Sequence, residues 1–141
     1  MNIETDPASD VEYFPSSRPW LETEAGVCLV GTRCSACQTI AFPEKTFCNV
    51  CGGEQSLQRA VFSPFGTLYS YSEVHAAPKG FTVPYVIGYV DLEDGVRVCG
   101  QIEHPGSELR LDAAVRVVLG VVRRNANGQA VISYKFRKRS A

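Results

Sequence analysis

Residues 34–53, CSACQTIAFPEKTFCNVCGG, decide how the first half of this chain folds. Cys34 and Cys37 are two residues apart, ten residues follow, and Cys48 and Cys51 repeat the spacing. Each pair brings two thiolates onto one tight turn, and two facing turns make a tetrahedral S4 cage suited to Zn²⁺. Gly52 and Gly53 allow the chain to turn through positive φ, so that backbone N–H groups point at the sulfurs. Three readings compete: a structural zinc ribbon, an iron site of the S4 type, and a redox dithiol or disulfide pair. The spacing favours zinc. With cysteine at all four positions no coordination site stays open for substrate, so the metal is expected to brace the fold and not to react.

The 141 residues suffice for a metal-stapled module beside one modest core. The formal charge is −1, from 14 basic and 15 acidic residues, and 45% of the chain is hydrophobic, an ordinary soluble composition. The most apolar run, Val115 to Val122, is interrupted by Arg116 and Gly120 and is too short to span a bilayer. No basic segment precedes an apolar one at the start, so no secretory signal and no membrane association are expected. Paired CxxC motifs without such a signal point to the reducing cytoplasm and to a metal. Cys28 and Cys99 are left over, and both read as small buried apolar side chains.

Three segments are expected. Residues 1–24 contain Pro7, Pro15 and Pro19 and many acids against Arg18 alone, which predicts an arm without a core of its own. Trp20, at the end of that arm, either caps a small core or anchors a partner. Residues 25–60 form the ribbon. Residues 61–141 read as strand after strand, alternating over 67–74, 84–92, 96–102, 115–121 and 130–136. Asp94-Gly95 and Asn127-Gly128 are hairpin turns, and 104–114 is a loop or a single helical turn. Five strands with one longer crossing after the third outline a Greek-key barrel, so the fold is expected to be mostly β, with the ribbon leading into a five-stranded OB-fold.

Catalytic machinery is missing from this pattern. His75 and His104, the two histidines, sit at strand ends and turns, and no GxxxxGK[ST] or G-x-G-x-x-G motif is present. The chain is therefore not expected to be an enzyme on its own. The 75–84 loop, with Lys79 and Phe81, is the candidate binding feature of the barrel. Basic residues Arg123, Arg124, Lys135 and Arg137 near the end are either a solvated face or phosphate contacts. Between Val61 and Glu108 the basic residues are Lys79 and Arg97, too few for a nucleic-acid track.

The order of motifs resembles a known family. A Trp-containing lead-in precedes the Arg33-Cys34 knuckle, and Phe42-Pro43 stands between the knuckles. FGTLYSY at 65–71, His75-x-Ala77-Pro78-x-Gly80-Phe81 and PYVIGYVDL at 84–92 follow. These resemble small acyl-CoA-associated proteins that pair a rubredoxin-like zinc ribbon with an OB-fold, long catalogued as a domain of unknown function. The resemblance covers residues 18–122. It implies zinc ligation by Cys34, Cys37, Cys48 and Cys51, and a thiolase-superfamily partner that carries the catalytic cysteine and histidines. It also implies docking through the arm with Trp20 and through Phe81. The barrel would then lie over the partner's CoA entrance, with Lys79, Arg123, Arg124, Lys135 and Arg137 as candidate CoA contacts. Gln38 departs from the family in standing where a glycine commonly follows the first knuckle. A free-standing binder of acyl-CoA or single-stranded nucleic acid is the alternative.

Overall fold

The computed structural model describes residues 11–139. Ten strands follow in chain order: β1 (Val11–Tyr13), β2 (Trp20–Thr23), β3 (Gly26–Cys34), β4 (Ile40–Ala41), β5 (Leu57–Val61), β6 (Phe65–Val74), β7 (Tyr85–Leu92), β8 (Arg97–Ile102), β9 (Ala114–Arg124) and β10 (Ala130–Lys138). The last five close on themselves. β6 pairs with β7 and β9, β7 with β8, and β10 with both β9 and β8, which completes a five-stranded barrel. The crossing before β9 contains one 3-10 turn, Gly106–Glu108. The fold is mostly β, a cysteine-rich ribbon followed by an OB-type barrel.

Period-2 patterning makes the barrel. In β7, Val86, Gly88, Val90 and Leu92 point inward and are buried, while Tyr89 faces out. Leu68, Val115, Val117 and Phe136 join them with no exposed surface. Each such side chain stabilises the fold by about 2 kcal/mol relative to solvent exposure. Phe62, on the linker from ribbon to barrel, and Leu29 of β3 belong to the same apolar cluster, so the two parts share one core.

Strict alternation fails in one strand, and one expectation about facing is corrected. Strand β6 carries a bulge between Leu68 and Ser70, which swaps faces beyond it. Tyr71, which strict alternation would set opposite Leu68, therefore packs against the core with it, and its hydroxyl donates to the Leu109 carbonyl at 3.0 Å. Cys99, expected inside, lies on the outer face of β8, because the flanking Val98 and Gly100 hold the inward register.

Residues 1–10 of the expected arm lie outside the described residues. The remainder is built into the sheets. β1 runs parallel to β10 over Val11–Tyr13, and β2 pairs with β3 through Trp20↔Leu29 to Thr23↔Gly26. This stretch has no core of its own and uses those of its neighbours. Among the described residues no helix is long and apolar enough to cross a membrane.

Candidate metal centre and basic groove

Two knuckles of the same design present the sulfurs. In the first, Gln38 N–H donates to the Cys34 carbonyl at 2.7 Å, and Cys34 N–H donates to the Thr39 carbonyl at 2.9 Å. In the second, Gly52 N–H donates to the Cys48 carbonyl at 2.7 Å, and Cys48 N–H to the Gly53 carbonyl at 2.8 Å. The fifth residue of each turn is left-handed: Gln38 has φ 66° and Gly52 has φ 77°. Gly52 adopts this freely, whereas Gln38 carries a Cβ and adds a hydrogen bond from Nε2 to the Ser35 carbonyl at 3.1 Å. Of the two glycines expected to turn through positive φ, Gly52 does so.

β3 ends at Cys34 and is held on one edge by β5 and on the other by β4, which aims the first knuckle at the second. All four Sγ atoms lie within 4.8 Å of one another, with Cys34–Cys51 at 3.6 Å and Cys37–Cys48 at 3.5 Å. Four sulfurs at about 2.3 Å from a tetrahedral ion would stand about 3.8 Å apart. The donor set therefore fits a four-coordinate thiophilic ion and closes around it.

Local donors prepare the thiolates. The Ser56 hydroxyl, 3.2 Å from Cys34 Sγ, and the Cys37 N–H bring the Cys34 thiol down to about 6. The Cys51 and Val50 N–H groups lower Cys48. The Gly53 N–H favours the Cys51 thiolate, but Cys51 also holds a proton for the three neighbouring sulfurs and is pushed up to about 11. Thr39 supplies a hydroxyl 3.1 Å from Cys37 Sγ. No motif in the sequence singles out these hydroxyl partners, Ser56 and Thr39, and their spacing from the cysteines is the one signal that points to them.

The remaining candidate residues separate into groups. Trp20 is 8% exposed, tilted against Tyr13 at 6.5 Å and packed in the core, so the structure offers its ring to the interior and not to a partner. Phe81 is half-buried and stacks on Tyr85 at 5.3 Å. Lys79, Arg123 and Arg124 line one concavity of about 460 Å³, closed by a bond from the Arg124 N–H to the Gly80 carbonyl at 2.8 Å. Arg123, Arg124 and Lys135 also line a neighbouring groove of about 550 Å³ that runs past Ile102 and Glu103. Burial lowers the Lys135 ammonium, while Glu103 opposes that shift, and its Nζ donates to the Val121 carbonyl at 3.1 Å. Arg137 lies apart from both hollows, engaged by Glu103 at 2.7 Å.

Neither histidine is set up with a nucleophile. His75 faces Glu73 at 3.4 Å and is exposed. His104 Nε2 accepts the Lys138 N–H at 3.2 Å, and its Nδ1 faces Glu108 at 3.5 Å. What the site offers is a four-cysteine cage, with Cys34 and Cys48 buried and Cys37 and Cys51 at the surface, and a cationic hollow.

Comparison with known proteins matches both halves of the chain. The rubredoxin-like zinc ribbon domain of ChsH2 matches residues 29–57, and the C-terminal OB-fold domain of ChsH2 matches residues 60–120. Benzoylsuccinyl-CoA thiolase subunit BbsA of Thauera aromatica is 38% identical over 110 residues, which cover 78% of this chain and 76% of that protein. A DUF35 domain-containing scaffold protein of Methanocaldococcus jannaschii is 33% identical over 124 residues, 85% of this chain and 88% of that one. Among solved structures, a chain of the Ltp2-ChsH2(DUF35) aldolase aligns with a TM-score of 0.61 and 26% identity, over 79% of this chain and 84% of that one.

Proposed function

This chain belongs to the family that joins a ChsH2-type rubredoxin-like zinc ribbon to a C-terminal OB-fold, and on that premise we propose that it is the zinc-binding accessory subunit of an acyl-CoA thiolase. One observation carries the reading. Relatives named as a thiolase subunit and as a scaffold protein align through ribbon and barrel together, over three quarters or more of their own length. The chemistry of the chain agrees with it. Cys34, Cys37, Cys48 and Cys51 would hold one Zn²⁺ with no open position, so the ion rigidifies the ribbon and brings its binding free energy into folding.

The reaction, thiolysis of a β-oxoacyl-CoA or acyl transfer, then belongs to a catalytic thiolase-superfamily subunit in a cytoplasmic hetero-oligomer. In that assembly the segment 1–24, apart from the buried Trp20, and Phe81 serve docking, residues 25–60 are the metal-stapled ribbon and residues 61–141 the barrel. The barrel helps to shape the CoA site. CoA carries a pyrophosphate and a 3′-phosphate, and Lys79, Arg123 and Arg124 converge on one hollow of suitable charge. Lys135 extends the cationic wall along the adjoining groove.

Co-expression with the thiolase catalytic subunit tests the reading. The expected result is a stoichiometric complex with one zinc per copy of this chain, and turnover only when both polypeptides are present. Turnover by this chain alone, or colourless metal-free material that still assembles, overturns it. A red visible absorption would assign iron to the cage in place of zinc.

A further inference from the structure

The barrel has a seam. Along the edge of β10 that faces away from β9, β1 pairs as far as Ile132, and β8 joins only at Phe136, opposite Ile102. Phe14 N–H donates to the Ile132 carbonyl and Glu103 N–H to the Phe136 carbonyl, both at 2.9 Å. The stretch between them is closed by side chains. The Tyr134 hydroxyl donates to the Cys99 carbonyl at 3.1 Å. Gly100 makes room for two rings, since a Cβ there would stand 2.9 Å from Phe136 and 3.2 Å from Tyr134.

The last piece of the closure comes from the ribbon. Phe42 meets Tyr134 edge to face, with centroids 5.5 Å apart, and both Ile40 and Phe42 pack against the shared core. Phe42 lies five residues after Cys37 and six before Cys48, so its segment is tethered at both ends by candidate metal ligands. Its own backbone support is slight. β4 is two residues long and has two register partners, Thr32↔Ala41 and Arg33↔Ile40. A strand that short does not hold its position unaided.

We propose that the ribbon's metal acts as a clamp on the barrel: with the ion bound, Phe42 is pressed onto Tyr134 and the β8–β10 seam is shut, and without it the seam loosens while the β6–β7–β8 sheet stays intact. The consequence reaches the ligand groove. Ile102 and Glu103 on one side of the seam, and Lys135 on the other, line the hollow of about 550 Å³. Metal loading in the ribbon therefore sets the shape of a groove on the barrel. The device rests on the four-cysteine metal reading above, and elemental analysis separates the two: absence of metal refutes that reading, while bound metal with an indifferent seam refutes this one.

Amide hydrogen exchange on the whole chain provides the test, comparing metal-loaded, chelator-stripped and Phe42→Ala proteins. Metal removal is expected to speed exchange of the Glu103 amide and of the seam-facing Tyr134 and Phe136 amides by about tenfold or more, with the Leu68–Val90 region of β6 and β7 unchanged. Phe42→Ala is expected to give the same selective loss with the metal still bound. Ile40→Ala is the second variant, held to the same criterion should Phe42→Ala not fold. Seam protection that survives chelation, or protection lost evenly through β6 and β7 as well, overturns the clamp.

Discussion

At the scale of single residues, backbone conformation and close approach give the sharpest expectations. Gln38 and Gly52 occupy equivalent left-handed positions in the two knuckles, at φ 66° and φ 77°. A Cβ in that region costs about 1 kcal/mol. Gln38→Gly should therefore raise the denaturant midpoint of the metal-loaded protein, and Gly52→Gln should lower it. Gly100→Ala acts through packing, because the added methyl would stand 2.9 Å from the buried Phe136 ring. Overpacking of that kind costs about 1–3 kcal/mol, measurable as a lowered melting temperature. Asp91 and Arg97 give a pH signature. Hydrogen bonds from Arg97 at 2.6 and 3.0 Å hold the Asp91 carboxyl below the ordinary carboxylate range. Its contribution is thus complete above the unfolded value of about 3.9 and is lost as pH falls through the lower folded value. Asp91→Asn should flatten the stability profile below about pH 4, by a small amount, since the pair is solvent-exposed.

At the scale of elements, the linker between ribbon and barrel is pinned to the β7–β8 hairpin. Ser63 N–H donates to Asp94 Oδ1 at 2.7 Å, and the Ser63 hydroxyl to Glu93 Oε1 at 2.7 Å. Asp94→Ala should destabilise the chain by about 1 kcal/mol, the usual worth of a hydrogen bond to a charged acceptor at the surface, and speed proteolysis at residues 61–65. That tie also marks what a sequence conveys about elements. Both hairpin turns, the five barrel strands and the 3-10 crossing were legible, because Asp-Gly, Asn-Gly and period-2 alternation are local signals. The bulge at Tyr69 was not, since inserting one residue leaves the composition of a strand unchanged and alters only which face follows. The strands within 11–23 were hidden for another reason. They are three and four residues long, lie among prolines and acids, and exist through pairing with β10 and β3, more than a hundred and several residues away respectively. The outward facing of Cys99 is not legible either, because an apolar run alone does not identify its inward face. The clustering of the four cysteines was legible outright, whereas the placement of Phe42 on the seam depends on tertiary contact that no local pattern carries.

At the scale of the whole molecule, reactivity and binding are kept apart. The four sulfurs face one another across the ribbon's two knuckles, His75 and His104 lie against Glu73, Glu108 and the Lys138 backbone, and Lys79, Arg123 and Arg124 gather at one hollow of the barrel. A chain arranged this way can position an anionic ligand for a partner without touching the bond that breaks. The distinction is measurable, since positioning by charge enters KM and its salt dependence, while chemistry enters kcat. In the complex with the catalytic subunit, the double variant Arg123→Glu, Arg124→Glu should raise KM for CoA by about tenfold, the worth of about 1.4 kcal/mol, and leave kcat within about twofold. KM of the unaltered complex should climb with ionic strength, and that slope should shrink in the variant. A fall in kcat with KM unchanged would instead move these arginines from ligand capture to assembly of the partner's active site, and would remove the basic hollow from the account of how this subunit works.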